Sequence, residues 1–547
     1  MSEQNDDVSI PAGNPPAADK PAFRPATVAS VPLAAIADSL GIVLPADSGD
    51  NTSVTGVSLN SRTVEPGDLY LALPGAARHG IDFVQEAVDA GAVAILSDEH
   101  GARQLALSDS LAVPVLVVDD PRAAVGPVAA LVYRSQPEDG PSPTLFGVTG
   151  TNGKTTTTYF INSLLRSLGK TPGLIGTIEI LAGGAPIPSL LTTPESTDVH
   201  ALLALMRERG LEAASMEVSS HALSFHRVDA VTFDVAGFTN LTQDHLDLHG
   251  SMEEYFRTKA ELFTSTRARS AVVTVDDEWG RRLAAEAGIP VTTLAVAPGT
   301  EADWIVAAAA PRGLGTDFEL RNSDGTVLRV HTGLPGDFNV ANAALATTMV
   351  LASGVDVQTL QDALDAYDPF TVSVPGRMQL VSDAPASVVD FAHNPDALAR
   401  ALEAVRSTEP DSRVIVVFGA TGQRDQGKRP TMGAIAARLA DVVIVSDDDP
   451  HDEDAATIRA EVLAGARAAH ESEHLACEIL EAYPRDAAIR RAVELATEKD
   501  TILVAGRGHE VWQEVKGVNL ALDDRVELRA ALTARGFKVS TNERIES

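Results

Sequence analysis

At 547 residues the chain is too long for one hydrophobic core, and about three domains is the natural division. A hydrophobic content of 44% is that of a globular protein, and no apolar run reaches the ~18 residues of a membrane helix, so no membrane partner is expected. The formal net charge of −33 argues against nucleic acid as a partner, because non-specific binding depends on Lys and Arg neutralising phosphates. An anionic substrate therefore has to be held by local basic clusters working against the global field. One cysteine, Cys477, excludes an internal disulfide and any multi-cysteine metal site, which fits a reducing cytoplasmic setting. Of the 43 basic residues only eight are lysines, and three of these, Lys154, Lys259 and Lys428, fall inside dense polar motifs.

In chain order, residues 1–26 are rich in Pro, Ala and acidic residues, without a basic start or an apolar core. They are expected to form a disordered tail and not a signal peptide. Residues 27–138 carry short apolar strands at 69–73, 92–97 and 113–118 and a helical stretch at 82–90, the pattern of a small α/β domain. Pro-Glu-Asp-Gly-Pro-Ser-Pro at 137–143 is a linker, and a central domain is expected over 139–374.

That domain opens on Gly147-Val-Thr-Gly150-Thr151-Asn152-Gly153-Lys154-Thr155-Thr156, between an apolar strand at 144–148 and a helical pattern of Phe160, Leu164, Leu165 and Leu168 that ends at Gly169. Strand, glycine turn and helix N-terminus together make a phosphate cradle. Backbone N–H groups point into the turn, the helix dipole favours anions, Lys154 reaches the terminal phosphates, and Thr155 offers its hydroxyl to Mg²⁺. A glycine-rich turn is often only tight packing, but the Gly-Lys-Thr ending is hard to explain that way. The loop is a variant, with Val148 where the first glycine of the common phosphate loop stands.

Further along, Glu217 closes an apolar–polar strand pattern, where a nucleotide enzyme needs a carboxylate for Mg²⁺. The run Asp244-His245-Leu-Asp247-Leu-His249 resembles a zinc site superficially, but its spacing suits neither a helix pair nor a zinc frame. Lys259 lies in an aromatic-flanked helical stretch and, taken alone, is a snorkelling lysine. After the Pro375-Gly376 turn, residues 375–547 carry buried-strand runs at 414–418, 442–446 and 502–505, the pattern of a doubly wound parallel sheet. Each run ends in a polar cluster: Arg424 to Arg429, Asp447 to His451, and Gly506 to Glu510. Three clusters at equivalent strand ends point to one shared site.

In these motifs the chain resembles the Mur ligases, ATP-dependent amide-bond synthases of peptidoglycan precursors. The resemblance is carried by Thr149 to Thr155, Glu217-Val-Ser-Ser-His221, the block from Asn240 to His249, Lys259, Phe338-Asn-Val-Ala-Asn342, Pro375-Gly-Arg377-Met378, and Asp390-Phe-Ala-His393-Asn394-Pro-Asp396. It covers nearly the whole chain after the tail. It is similar above all to the branch that joins a diamino acid to UDP-N-acetylmuramoyl-L-alanyl-D-glutamate. The resemblance implies an α/β fold of three domains: a small uridine-binding domain, a central phosphate-loop ATPase domain with a mostly parallel sheet, and a C-terminal Rossmann-like domain that takes the amino acid.

By the same resemblance, Leu59 and Ser61 would hold the uridine nucleotide, and Thr192, Thr193, Ser219 and Arg227 the sugar-peptide and its pyrophosphate. Gly150, Thr151, Asn152, Gly153, Lys154, Thr155 and Thr156 would cradle ATP, with Asn342, Arg377 and Asp390 framing the adenosine. Thr155, Glu217 and His245 would hold Mg²⁺ together with Lys259, which this family converts with CO₂ to a carbamate (N6-carboxylysine). That conversion makes physical sense, since an ammonium beside a divalent ion is repelled and a carbamate can orient it. Lys154, Lys259, Glu217 and His245 are thus the expected catalytic set. A monomer is expected.

The amino-acid site is expected at Arg424, Asp448, Asp449, Pro450, His451, Gly506 and Glu510. Relatives that add meso-diaminopimelate carry Asp-Asn-Pro-Arg, whose Arg pairs with the second carboxylate; here the tetrad is Asp448-Asp449-Pro450-His451. With the guanidinium missing and acidic groups crowding the site, a distal ammonium is favoured, so L-lysine or L-ornithine is expected over diaminopimelate. Phe225 stands where a polar residue often contacts the substrate. Folylpolyglutamate synthase shares the later domains, but the Ser61-Arg62 and Pro66-Gly67-Asp68 segment counts against it. A non-catalytic UDP-sugar-binding protein is disfavoured by the intact Lys154, Glu217, His245 and Lys259.

Overall fold

The computed structural model describes residues 23–44, 52–75, 78–106 and 113–540. Three sheets organise it. In the first, Gly56–Ser58, Asp68–Leu71, Ala94–Ser97 and Val115–Val117 lie side by side in chain order, all parallel. Helix Pro121–Tyr133 covers one face. Asp120 caps it by accepting from the Arg122 and Ala123 N–H groups, and Val125, Val128, Ala129 and Val132 are buried. The helical stretch expected at 82–90 is split into a tight turn Gly80–Phe83 and helix Val84–Asp89, because the His79 ring accepts the Ile81 N–H and winds the first turn. The described residues include the end of the expected tail, from Phe23. Phe23 packs on the central core, and Arg24 forms a bidentate pair with the buried Asp68. Residues 1–22 of the expected tail lie outside the described residues.

Among the described residues the central sheet has eleven strands. Its parallel middle, in the order Pro172–Ile175, Ala213–Glu217, Thr144–Thr149, Phe233–Phe238, Ala268–Thr274, Val291–Ala295 and Trp304–Arg312, is flanked by antiparallel edges. Both faces are covered, which is why these strands read as continuous apolar runs. Helix Lys154–Ser167 buries Phe160, Leu164 and Leu165 on one face and ends before Gly169, whose φ of 76° stops it. Full burial of a side chain such as Phe160 contributes roughly 1.5–3 kcal/mol.

The third sheet runs Gln379–Asp383, Ala386–Asp390, Thr501–Ala505, Val414–Phe418, Val442–Val445, Glu478–Glu481, and only its first pair is antiparallel. Chain order reverses between Thr501–Ala505 and Val414–Phe418. The loops after these two strands, and those after Ala386–Asp390 and Val442–Val445, open at one end of the sheet. That end faces the phosphate loop: Asn152 Nδ2 donates to Asp396 Oδ2 at 3.0 Å, and Asn394 Nδ2 donates to Asn152 Oδ1 at 3.1 Å. Among the described residues no helix is long and apolar enough to cross a membrane.

Candidate functional site

The phosphate loop bridges strand Thr144–Thr149 and helix Lys154–Ser167. Gly150 has φ 144°, and a Cβ there would lie 1.8 Å from Thr239 Oγ1, so only glycine fits. The segment after strand Phe233–Phe238 braces the loop from behind. Asn240 O accepts the Thr151 N–H at 2.9 Å, Asn240 Oδ1 accepts the Asn152 N–H at 3.1 Å, and Thr239 Oγ1 donates to Asn152 O at 2.7 Å. Helix Lys154–Ser167 starts on Gly153 with no side-chain cap, so its first N–H groups face the cavity, as an anion site requires.

The loop borders a cavity of about 1240 Å³ at the junction of the central and C-terminal domains. Thr151, Asn152, Gly153, Lys154, Thr155 and Thr156 line it on the loop side, with Asn342, Arg377 and Asp390 nearby. Thr192, Ser219 and Arg227 form another wall, while Glu217 and His245 lie at its base. Arg424, Asp449 and Glu510 reach it from the C-terminal sheet. A smaller adjoining cavity of about 320 Å³ shares Arg424, Asp449 and Glu510 and adds Asp448, His451 and Gly506. The three polar clusters at successive strand ends thus meet in one place.

Other expected residues lie outside both linings. Leu59 packs on the N-terminal core, and Ser61 Oγ donates to Glu86 Oε2 at 2.8 Å. Thr193 is buried, its hydroxyl donating to Glu217 O at 2.7 Å. Pro450 supports the loop with its carbonyl, which accepts the Glu453 N–H at 3.0 Å.

Lys259 does not snorkel. Helix Met252–Ala260 turns it inward, 1% exposed, and its Nζ donates to Gly150 O at 2.9 Å beneath the loop, 4.6 Å from the Tyr255 ring centre. The inward turn follows from Tyr255 and Phe256 being buried on the same helix. Burial first, then the Lys154 charge, hold the Lys259 amine well below the ordinary lysine range. Lys154 is also lowered by burial, and its Nζ donates to Gly150 O and Thr151 O, both at 2.8 Å.

Glu217, the last residue of strand Ala213–Glu217, accepts from Thr155 Oγ1 at 2.8 Å, from the Thr177 N–H at 2.7 Å and from Thr177 Oγ1 at 3.1 Å. His245 is pushed down to about 3 by burial, with His221 and Lys154 adding to it, so it presents a neutral ring capable of ligation. No cluster of three or more His, Cys, Asp or Glu is placed to hold a metal among the described residues. Thr155, Glu217 and His245 offer fewer donors than the roughly six that Mg²⁺ takes, which leaves positions for water and phosphate oxygens.

One residue lining the site, Thr177, had little signal in the sequence. Thr177 follows Gly176, where a Cβ would meet Glu217 Oε1 at 2.5 Å; a glycine past a strand end was the only hint. Asp244 accepts from Asn394 Nδ2 at 3.2 Å and lies 3.6 Å from His393 Nε2. Although burial alone would raise it, the His393 hydrogen bond and charge keep Asp244 well below the usual carboxylate range. Phe391 carries Arg377, whose guanidinium sits 4.3 Å above the ring centre. Glu510 is pushed up to about 8, by burial first and then by Asp448. In the same site Arg485 and Arg507 keep Asp448 ionised, while His451 is tied to Glu514, Nδ1 to Oε2 at 2.9 Å.

A phosphate cradle backed by two lysines and a strand-end carboxylate, opening into a cavity shared with an amino-acid-sized pocket, defines a nucleotide-dependent ligase. Residues 53–133, 148–350 and 376–508 match respectively the Mur ligase family catalytic domain, the Mur ligase middle domain and the Mur ligase glutamate ligase domain. The chain is 44% identical to the UDP-N-acetylmuramoyl-L-alanyl-D-glutamate–2,6-diaminopimelate ligase of Streptomyces coelicolor, over 93% of this chain and 98% of that one. It is 45% identical to the UDP-N-acetylmuramyl-tripeptide synthetase of Leifsonia xyli subsp. xyli, over 94% and 98%. A solved UDP-N-acetylmuramoyl-L-alanyl-D-glutamate–2,6-diaminopimelate ligase superposes with a TM-score of 0.61 at 29% identity, covering 93% of this chain and all of that one. The chain belongs to the Mur ligase family, the ATP-dependent ligases of peptidoglycan precursor synthesis.

Proposed function

We propose that the protein joins a diamino acid to the D-Glu γ-carboxylate of UDP-N-acetylmuramoyl-L-alanyl-D-glutamate, converting ATP to ADP and phosphate. The observation that carries this reading is the continuity of the two cavities, which share Arg424, Asp449 and Glu510 between the phosphate loop and the strand-end clusters. The relatives' names point to the same substrate pair. Such soluble precursors suit a cytoplasmic enzyme.

In this mechanism Lys154 leaves the Gly150 and Thr151 carbonyls for the β- and γ-phosphates, and the free N–H groups after Gly153 cradle them. Mg²⁺, held by Thr155, Glu217, His245 and the Lys259 carbamate, would neutralise phosphate charge. The D-Glu carboxylate oxygen attacks the γ-phosphorus, giving an acyl phosphate and ADP. The neutral amine then attacks the acyl carbon, the tetrahedral intermediate expels phosphate, and the amine's extra proton passes to a base or water. Arg227, Thr192 and Ser219 fix the sugar-peptide, and Arg377 and Asn342 frame the nucleotide, so most of the rate comes from positioning.

For the incoming amino acid we favour L-lysine, with L-ornithine second. No guanidinium stands at position 451, His451 is held by Glu514, and the pocket is rich in carboxylates. The names of several relatives give 2,6-diaminopimelate, the alternative. Phosphate release with the three amino acids in parallel tests this. The proposal expects lysine or ornithine to give the highest kcat/KM; a clear excess for diaminopimelate would overturn the specificity and leave the family assignment intact.

A further inference from the structure

Arg227 is the cation that the proposed function sets on the precursor's pyrophosphate and peptide, and the following inference rests on that role. Its guanidinium is tightly held. Nε donates to Glu195 Oε1 at 2.9 Å, Nη1 donates to Thr193 O at 3.3 Å, and the Phe225 ring lies 5.7 Å from its centre. Glu195 stands at the N-cap of helix Ser196–Glu208 yet makes no side-chain capping bond. Its carboxylate faces two arginines instead, because Oε2 lies 2.8 Å from Arg122 Nη2. Arg122 belongs to helix Pro121–Tyr133 of the N-terminal domain, whose core takes in Ala201 and Ala204 of the same Glu195-led helix.

We infer that Glu195 is a positioning residue for precursor binding. It aims Arg227 into the cavity and, through Arg122, fixes that aim to the orientation of the N-terminal domain. A single carboxylate between two guanidiniums removes their mutual repulsion and leaves a surplus positive charge facing the pyrophosphate, which the global charge of −33 would otherwise repel. The carboxylate is needed because a neutral amide accepts from one arginine without balancing the second.

The test is steady-state kinetics of the full-length protein, with amide formation as readout and each substrate varied in turn. Glu195→Gln is expected to raise KM for the UDP-dipeptide about tenfold, leaving kcat and the KM for ATP within about twofold of wild type. Arg122→Ala should raise the same KM about threefold, and the double variant should be no worse than Glu195→Gln alone. If Glu195→Gln fails to fold, Arg122→Ala carries the test, since its side chain is only part-buried. An unchanged UDP-dipeptide KM, an equal fall in kcat with every substrate, or multiplying effects in the double variant would overturn the inference. Wild-type turnover of the precursor measures the underlying reading separately.

Discussion

Lys154 and Lys259 direct their amino groups at the same oxygen, the Gly150 carbonyl, at 2.8 and 2.9 Å. Two buried ammonium ions cannot both stay charged there at low cost, and Lys259, the more deeply enclosed, is held well below the ordinary lysine range. The neutral amine is the form that reacts with CO₂. ¹³C-bicarbonate is expected to give a carbamate resonance in the wild-type protein that is missing in Lys259→Arg. Removing that oxygen donor should lower kcat by about a hundredfold. Full activity of Lys259→Arg without added bicarbonate would contradict the role.

His200 seals the contact between the N-terminal and central domains. Its Nδ1 pairs with Ser135 Oγ at 2.7 Å and its Nε2 with Asp229 O at 3.0 Å. Burial pushes it down to about 4 from 6.5. A depressed histidine gives stability that is fully present above its unfolded value and is lost as pH falls from about 6.5 towards 4, on the order of 3 kcal/mol. Denaturant unfolding at about pH 7.5 and about pH 4.5 should show His200→Asn less stable at the higher pH but with a shallower acid loss than wild type. Parallel slopes for the two proteins would contradict this.

Arg485 and Asp524 form a fully buried pair at 2.8 Å, and the same guanidinium donates to Asp447 O and Ala505 O. It thereby ties together the ends of two strands that carry the amino-acid pocket. Arg485→Met leaves Asp524 charged and unpaired, which should cost about 3–5 kcal/mol, read as a lower melting temperature. Arg485→Met with Asp524→Leu should recover much of that loss. A melting temperature unmoved by the single change would contradict this.

In the specificity proposed above, position 451 sets which second group on the substrate the pocket accepts. His451→Arg restores a fork that pairs with a carboxylate, so the kcat/KM ratio of diaminopimelate to lysine should rise by about tenfold to a hundredfold. An unchanged ratio in competition assays would remove position 451 from specificity.

The phosphate loop was legible because it is local. Strand, glycine turn and helix lie within 24 residues, and each obeys its own spacing rule. Glu217 was legible for a similar reason, since the alternating pattern ends where the strand ends. Lys259 was legible only through the resemblance, because its helix predicts an amphipathic face but not that the face lies under a loop 109 residues away. The bonds from Asn394 to Asn152 and Asp244 join residues 242 and 150 apart, and no periodicity records such a meeting. The split of Glu195 between two arginines depends on domain packing in the same way. Length led to the expectation of about three domains, while the docking of Arg24 onto Asp68 had no signal in the sequence.

Amide formation coupled to nucleotide cleavage remains the central claim. ADP production should be measured with purified protein, Mg²⁺ and bicarbonate, with and without the UDP-dipeptide and a diamino acid, while the peptide product is followed by mass spectrometry. ADP is expected only when both acceptors are present, in equal amount to a new UDP-tripeptide; ADP formed at the same rate without the dipeptide, and no new amide, would contradict it.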